Sequence, residues 1–192
     1  DLAPVSARQI EFSGRPAPFD RYCFLGLAVG DGYGGLEHRA STSLIFSRDD
    51  LPKAGEPGVP RDYQRFLGLA SHEYFHTWHV KRTKPAAFMP YRLDRRVHTR
   101  LLWVFEGITS YYQELLLLRS GVVGVPVFLQ RIGELLTRFY RTPGRAKQGL
   151  GPHPSIKVVP ERRENSDRML CKLVQQRKLP VLGIGLGMQE LN

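Results

Sequence analysis

The chain has 192 residues, of which 42% are hydrophobic and 24% are charged. This length suits one domain or part of a larger one, and the composition is typical of a folded globular protein, which excludes wholesale disorder. No stretch reaches the roughly 18 to 20 apolar residues that a membrane span needs, so we expect no membrane span. Neither an initiator methionine nor a secretory signal is visible at the N-terminus, which favours a cytoplasmic location and a fragment of a longer protein. The oligomeric state stays open.

The net charge of +10 is unevenly distributed along the chain. Residues 141–192 hold ten Lys or Arg against four Asp or Glu, whereas the preceding residues are nearly balanced. Basic charge confined to a tail forms a solvated surface more often than a binding groove, and no recognition motif accompanies it. We therefore expect no nucleic-acid partner. A basic nucleic-acid-binding module stays as an alternative that predicts salt-sensitive DNA binding.

The first third of the chain predicts a small sheet. Residues 1–16 read as the end of a helix or an irregular lead-in that a Gly-Arg-Pro breaker closes. Residues 21–29 form a compact apolar run that predicts a buried strand, and residues 31–35 predict a glycine-rich turn. Residues 36–47 favour one or two further strands, and residues 48–61 predict a surface loop.

The middle of the chain predicts three helices. Apolar residues recur at spacings of three and four from residue 63 to about 78, which indicates the first helix. Residues 81–98 predict an irregular connection, after which an apolar helix from about residue 99 to 119 should be largely buried. Residues 125–140 predict the third helix, beginning near Pro126.

The sharpest motif is the run His72-Glu73-Tyr74-Phe75-His76, which has the pattern H-E-x-x-H. Residues four apart share one face of a helix, so His72 and His76 can present imidazole nitrogens to a single metal ion. Glu73 lies close enough to act on a metal-bound water without being a ligand itself. The ordinary alternative is a pair of surface histidines on an unremarkable helix.

A hydrolytic zinc site needs a third protein ligand and one open position. Glu106 is the best candidate, because its carboxylate lies within an apolar helical stretch and is costly to bury unless a cation compensates it. A salt bridge to an arginine is the alternative explanation. His79 and His98 are rival ligands without comparable surroundings.

Three segments together resemble a known family. SHEYFHTWHVKR, LLWVFEGITSYYQELLLLRSG and, before both, GDGYGGLEHRAST are similar to motifs of the glycyl aminopeptidases, whose full-length members also carry a PDZ domain. These enzymes are thermolysin-like zinc peptidases, known as gluzincins. The resemblance covers roughly residues 16–143 and implies an α+β fold in which a small sheet precedes zinc-bearing helices.

The resemblance implies a role for each residue of the central motif. It gives His72, His76 and Glu106 as Zn²⁺ ligands and Glu73 as the general base and acid that assists attack of zinc-bound water on a peptide. Thr109, one turn after Glu106, could orient that carboxylate. The implied activity is removal of N-terminal Gly or Ala from peptides.

A glycine-rich segment before the helices resembles the edge strand along which related aminopeptidases place their substrate. Gly34 and Gly35 would let the backbone approach a peptide closely, and Glu37 could bind a free α-amino group. Without the resemblance, this segment reads as a glycine turn that enters a strand.

The sequence also predicts a division into domains and leaves rival functions open. We interpret residues 1–143 as a partial gluzincin catalytic domain. We interpret residues 144–192 as an atypical basic tail rich in Pro and Gly, arising from a frameshifted reading of the gene or disordered. An endopeptidase would use the same chemistry, and a catalytically inactive metal-binding fragment is the alternative from another functional class.

Overall fold

The computed structural model describes residues 1–90 and 97–143, so the interpretation of residues 144–192 as an atypical tail lies outside the described residues. The helices are α1 (Leu2–Ser13), α2 (Arg61–Phe75), α3 (Leu102–Arg119) and α4 (Val125–Arg141). The strands are β1 (Cys23–Val29), β2 (Tyr33–Glu37) and β3 (Ser41–Ser47), and short 3-10 turns span Arg48–Asp50 and Ala86–Phe88. The architecture is α+β, as predicted.

The three strands form one mixed sheet with the order β1-β3-β2. β3 lies in the middle, parallel to β1 and antiparallel to β2, with Gly34 opposite Ile45 and Gly35 opposite Leu44. β3 is the most buried strand, with Leu44, Ile45 and Phe46 among its buried residues. β2 therefore borders the sheet on one side in the part of the chain that the structure describes.

The core joins β3 to the helices through α2. Leu67, Leu69 and Ala70 of α2 pack with Leu44 of β3 and Leu117 of α3 in one buried cluster. α1 is tied to the same helix by a buried side chain, because Gln9 Nε2 donates to the Ser71 carbonyl at 3.0 Å and to Ser71 Oγ at 2.9 Å. α2 is thus fixed from several sides, which matters because it carries the H-E-x-x-H motif.

Three sequence predictions need correction. Residues 31–35 were predicted as a turn, but β2 begins at Tyr33, so both glycines of this segment lie in a strand. β1 is predicted to be buried, yet Leu25 is 51% exposed, since α2 packs mainly against β2 and β3. α3 is buried mainly on one face, and Trp103 and Tyr111 on the other face are exposed. Hydrophobicity alone did not indicate which face of an element is covered.

No helix within residues 1–90 and 97–143 combines the length and the apolar character needed to cross a membrane. This finding agrees with the expectation drawn from the sequence for that part of the chain.

Candidate metal centre

α2 presents the two histidines of the motif on one face of its C-terminal end. His72 lies in the last turn of the helix and His76 caps it in a helical conformation, so the i, i+4 spacing is preserved although α2 ends at Phe75. The two Nε2 atoms lie 3.0 Å apart. His76 is fully buried, whereas His72 is partly exposed. The helix therefore brings the two imidazoles together as the sequence predicts.

α3 supplies a carboxylate to the same point. Glu106 Oε2 lies 3.2 Å from Nε2 of His72 and 3.7 Å from Nε2 of His76. Ligand atoms of these three residues all lie within 4.8 Å of one another. Two helices separated by an irregular segment thus converge on one position.

The outer nitrogens of both rings show that this group fits a cation. His72 Nδ1 lies 2.8 Å from Gln113 Oε1, and His76 Nδ1 lies 3.0 Å from the backbone carbonyl of His79. Oxygen acceptors require that each Nδ1 carries a proton, so each ring in its neutral form directs an Nε2 lone pair at the other. Two lone pairs and a carboxylate that converge in this way repel one another unless a cation lies between them. Two imidazoles and one carboxylate suit a divalent transition metal.

Glu73 lies beside this centre, buried between α2 and β2. It is only 3% exposed, and it forms a second group with Glu37 and His76 whose ligand atoms also lie within 4.8 Å. A Cβ atom built on Gly35 would lie within 2.5 Å of Glu73 Cδ and Oε1. The glycine in β2 therefore makes the space that the Glu73 carboxylate occupies, and a side chain at this strand position would displace that carboxylate.

Glu37 ends β2 as a buried carboxylate with a basic neighbour. It is 8% exposed, and Lys81 Nζ lies 3.4 Å from its Oε1. The resemblance implies that Glu37 could bind a free α-amino group, but Lys81, which no sequence motif marks, already offers an ammonium there. A substrate amine would have to share this carboxylate or displace Lys81.

Three other residues that the sequence suggests for the site, His79, His98 and Thr109, lie outside the group of ligand atoms. His79 turns its Nε2 to the Val104 carbonyl at 3.4 Å and stacks on Phe105, while burial lowers its pKa and keeps the ring neutral. His98 is exposed and belongs to neither of the described clusters of potential ligands. The Thr109 hydroxyl donates to the Phe105 carbonyl of its own helix, so the predicted orientation of Glu106 by Thr109 is not among the described contacts.

Gln113 is the site residue that sequence reasoning missed. It lies seven residues after Glu106, and residues seven apart share one face of a helix. Gln113 could have been found from the sequence, because it is a polar residue in a largely apolar helix and lies on the same face as Glu106.

Replacing Gly35 with alanine tests the space beside Glu73. The added Cβ would displace the Glu73 carboxylate. If Glu73 is the general base that the resemblance implies, we expect peptide hydrolysis to fall by about 10- to 100-fold, because a small misplacement of a catalytic group costs about 100-fold in rate. Metal content should stay unchanged. The matched control is Gly30→Ala, since no atom lies within 4 Å of a Cβ at that position. Equal hydrolysis by both variants would contradict the assignment.

Two comparisons with known proteins both relate this chain to aminopeptidases. A sequence model of the M61 glycyl aminopeptidase family matches residues 65–168, more than half of the chain. The chain is also similar to a crystal structure of an aminopeptidase N family protein from Idiomarina loihiensis, with 34% identity and a TM-score of 0.74. That alignment covers 99% of this chain and 35% of the other, so the chain spans about a third of the length of that protein.

Two further findings concern the tail and the curated proteins. A model of the peptidase C26 family matches residues 146–192, and this range overlaps the end of the M61 match. No curated protein matches the chain. The frameshift or disorder interpretation of residues 144–192 stays a prediction.

Proposed function

Because the chain belongs to the M61 glycyl aminopeptidase family, we propose that it carries the metal centre of a zinc-dependent aminopeptidase that removes N-terminal Gly or Ala from peptides. The observation that carries this proposal is the convergence of His72 Nε2, His76 Nε2 and Glu106 Oε2 within 4.8 Å. Two histidines and one glutamate are a donor set that catalytic zinc sites use.

In this proposal His72, His76 and Glu106 hold the metal. Zinc bound there would supply Lewis-acid polarisation of the peptide carbonyl and would acidify a water molecule. His72 and Glu106 approach from different helices, so the position of the site depends on the packing of α2 against α3. His76, fully buried, limits access to the side on which His72 and Glu106 are partly exposed.

Glu73 moves the proton in this proposal. The water that attacks the peptide carbonyl gives its proton to a carboxylate oxygen of Glu73, which then delivers it to the leaving amine nitrogen. Glu73 is 3% exposed and lies beside His76, so its carboxylate is held next to the proposed metal. Gly35 keeps the carboxylate close to the strand on which a substrate would lie.

β2 supplies the proposed substrate surface. It borders the described sheet, and a peptide added beside it could pair with its main chain. Gly34 and Gly35 keep this part of the strand free of bulky side chains, and Glu37 ends the strand with a buried carboxylate. In this arrangement Glu37 holds the α-amino group while Glu73 acts at the peptide bond next to it.

The test compares Gly- and Ala-peptides that have a free N-terminus with the same peptides after N-acetylation. We expect hydrolysis of the free peptides only, and its loss after dialysis against a chelator. Glu37→Gln should raise KM for free peptides, because the charge that holds the amine is lost, by about 10-fold or more. The matched control is Glu11→Gln, a change in an exposed side chain of α1.

Two outcomes would favour the alternatives. Equal hydrolysis of free and acetylated peptides would indicate an endopeptidase, a reading that the contact between Lys81 and Glu37 favours, since it already neutralises the proposed amine site. Stoichiometric zinc without any hydrolysis would indicate a catalytically inactive metal-binding fragment.

A further inference from the structure

Three polar side chains of α3 and α4 form a hydrogen-bonded series that ends at His72. Gln113 Oε1 lies 2.8 Å from His72 Nδ1, and Gln113 Nε2 donates to Glu114 Oε1 at 2.6 Å. Glu114 in turn accepts from Arg131, whose Nη2 lies 2.7 Å from the same oxygen. We call this set, formed by Gln113, Glu114 and Arg131, the Gln113 network.

The chemistry of the network determines which way the Gln113 amide faces. A carboxylate only accepts hydrogen bonds, so the amide must turn its NH₂ group to Glu114 and its oxygen to His72. An amide oxygen also only accepts, so His72 Nδ1 must carry the proton. The orientation of Gln113 and the tautomer of His72 are therefore set by the charge on Glu114, not by the imidazole itself.

We propose that Gln113 is a positioning residue whose amide, oriented by the pair of Glu114 and Arg131, holds His72 in the tautomer that leaves Nε2 to bind the metal. This inference rests on the proposed function for the identity of the metal. Hydrogen-bond partners of a ligating histidine fix its ring and raise its affinity for metal. The backbone carbonyl of His79 does the same for His76, so Gln113 is the side chain through which this control can be altered.

The ion pair of Glu114 and Arg131, which orients Gln113, has a fixed geometry. Glu114 is 4% exposed and receives two hydrogen bonds from one guanidinium, a fork-to-fork arrangement that fixes both planes. Burial alone lowers the pKa of Arg131, but the hydrogen bond and charge of Glu114 outweigh it, and the net pKa is raised. Arg131 is therefore cationic at neutral pH. A buried ion pair is a weak source of stability, which is consistent with a role in orientation.

α2 leaves room for the network at the turn before His72. A Cβ atom at Gly68 would lie 2.6 Å from Arg131 Nη2 and 3.3 Å from Gln113 Nε2. Gly68 precedes His72 by four residues and so shares its face of the helix. The network thus fills a space that α2 provides next to the ligand.

The direct test is the tautomer of His72 in the metal-free chain, read from the ¹⁵N shifts of its two ring nitrogens at a pH where the ring is neutral. We expect Nδ1–H in the unaltered chain and a mixture of both tautomers in Gln113→Leu, which removes the acceptor. If Gln113 only stabilised the fold, its replacement would leave the His72 tautomer unchanged. The matched control is Gln130→Leu, since Gln130 is an exposed glutamine of α4 that donates to Glu134 at 3.1 Å.

The second readout is zinc affinity, measured by competition with a chromophoric chelator. Gln113→Leu should bind zinc about 10- to 100-fold more weakly, the usual effect of removing the partner of a ligating histidine. Combining Gln113→Glu with Glu114→Gln keeps an acceptor toward His72 and a donor between the two residues, so this pair should restore most of the affinity. If Gln113→Leu does not fold, Gln113→Asn replaces it, because the shorter amide cannot reach His72. We expect the same mixture of tautomers and the same loss of zinc affinity in Gln113→Asn.

The outcomes separate this inference from the proposed function. An unchanged tautomer or an unchanged zinc affinity in folded Gln113→Leu would overturn the positioning role. Failure of the unaltered chain to bind zinc would overturn the proposed function, and the tautomer measurement would still decide whether Gln113 controls His72.

Discussion

Replacing Glu106 with alanine is expected to remove stoichiometric zinc from the purified chain. The unaltered chain should retain about one zinc after extensive dialysis, since two imidazoles and one carboxylate meet at its site. Removing the carboxylate leaves two neutral ligands, and the loss of affinity should exceed the roughly 10- to 100-fold that follows from losing a hydrogen-bond partner of a ligand. Atomic absorption on dialysed protein measures the metal content.

The control for this experiment is Glu134→Ala. Glu134 lies on α4, about 41% exposed and paired with Arg61, so its removal changes the net charge equally without touching the site. Circular dichroism must show that both variants are folded. A folded Glu106→Ala chain that still holds one zinc would contradict the three-ligand assignment and would direct attention to Glu37 and Glu73, the other carboxylates near His76.

The central motif was predictable because its chemistry depends on local spacing. His72 and His76 lie four residues apart, and any helix through this segment places them on one face. Glu106 required a further step, since its proximity depends on how α3 packs on α2. The cost of burying a carboxylate in an apolar helix supplied that step without coordinates. The structure brings the three residues together as expected.

The surroundings of the motif were less predictable because they depend on tertiary contacts. Gly34 and Gly35 look like a turn in the sequence, but the pairing with β3 and the closeness of Glu73 place them in a strand. Lys81 reaches Glu37 across a connection whose path no periodicity reveals. Patterns of three and four residues predict the face of a helix, yet they do not say which neighbour that face meets.

Gln113 illustrates the difference between a residue type and its role. Its spacing from Glu106 was visible in the sequence, but its function depends on the ion pair of Glu114 with Arg131, which joins two helices. Only the arrangement of donors and acceptors across α3 and α4 reveals which atom of the amide faces His72. Orientation of the ligands is thus encoded by residues that no metal-binding motif contains.

Replacing Glu73 with glutamine is expected to lower kcat for peptide hydrolysis by about 10²- to 10⁴-fold, the range that general acid–base catalysis contributes. Glutamine has nearly the same shape, so it should fit against Gly35, but it cannot accept the proton of the attacking water. Zinc content should stay at about one per chain, because Glu73 is not among the three proposed ligands. Steady-state kinetics on a free Gly-peptide, together with metal analysis, measures both quantities.

This variant and Glu106→Ala separate holding the metal from moving the proton. Loss of zinc and activity together in Glu106→Ala, with loss of activity alone in Glu73→Gln, is the pattern that the two assigned roles require. Glu11→Gln, an exposed change on α1, should leave both quantities unchanged. Full activity in a zinc-loaded Glu73→Gln chain would show that another group moves the proton. Glu37 would then be the residue to examine, because it is the other buried carboxylate near His76.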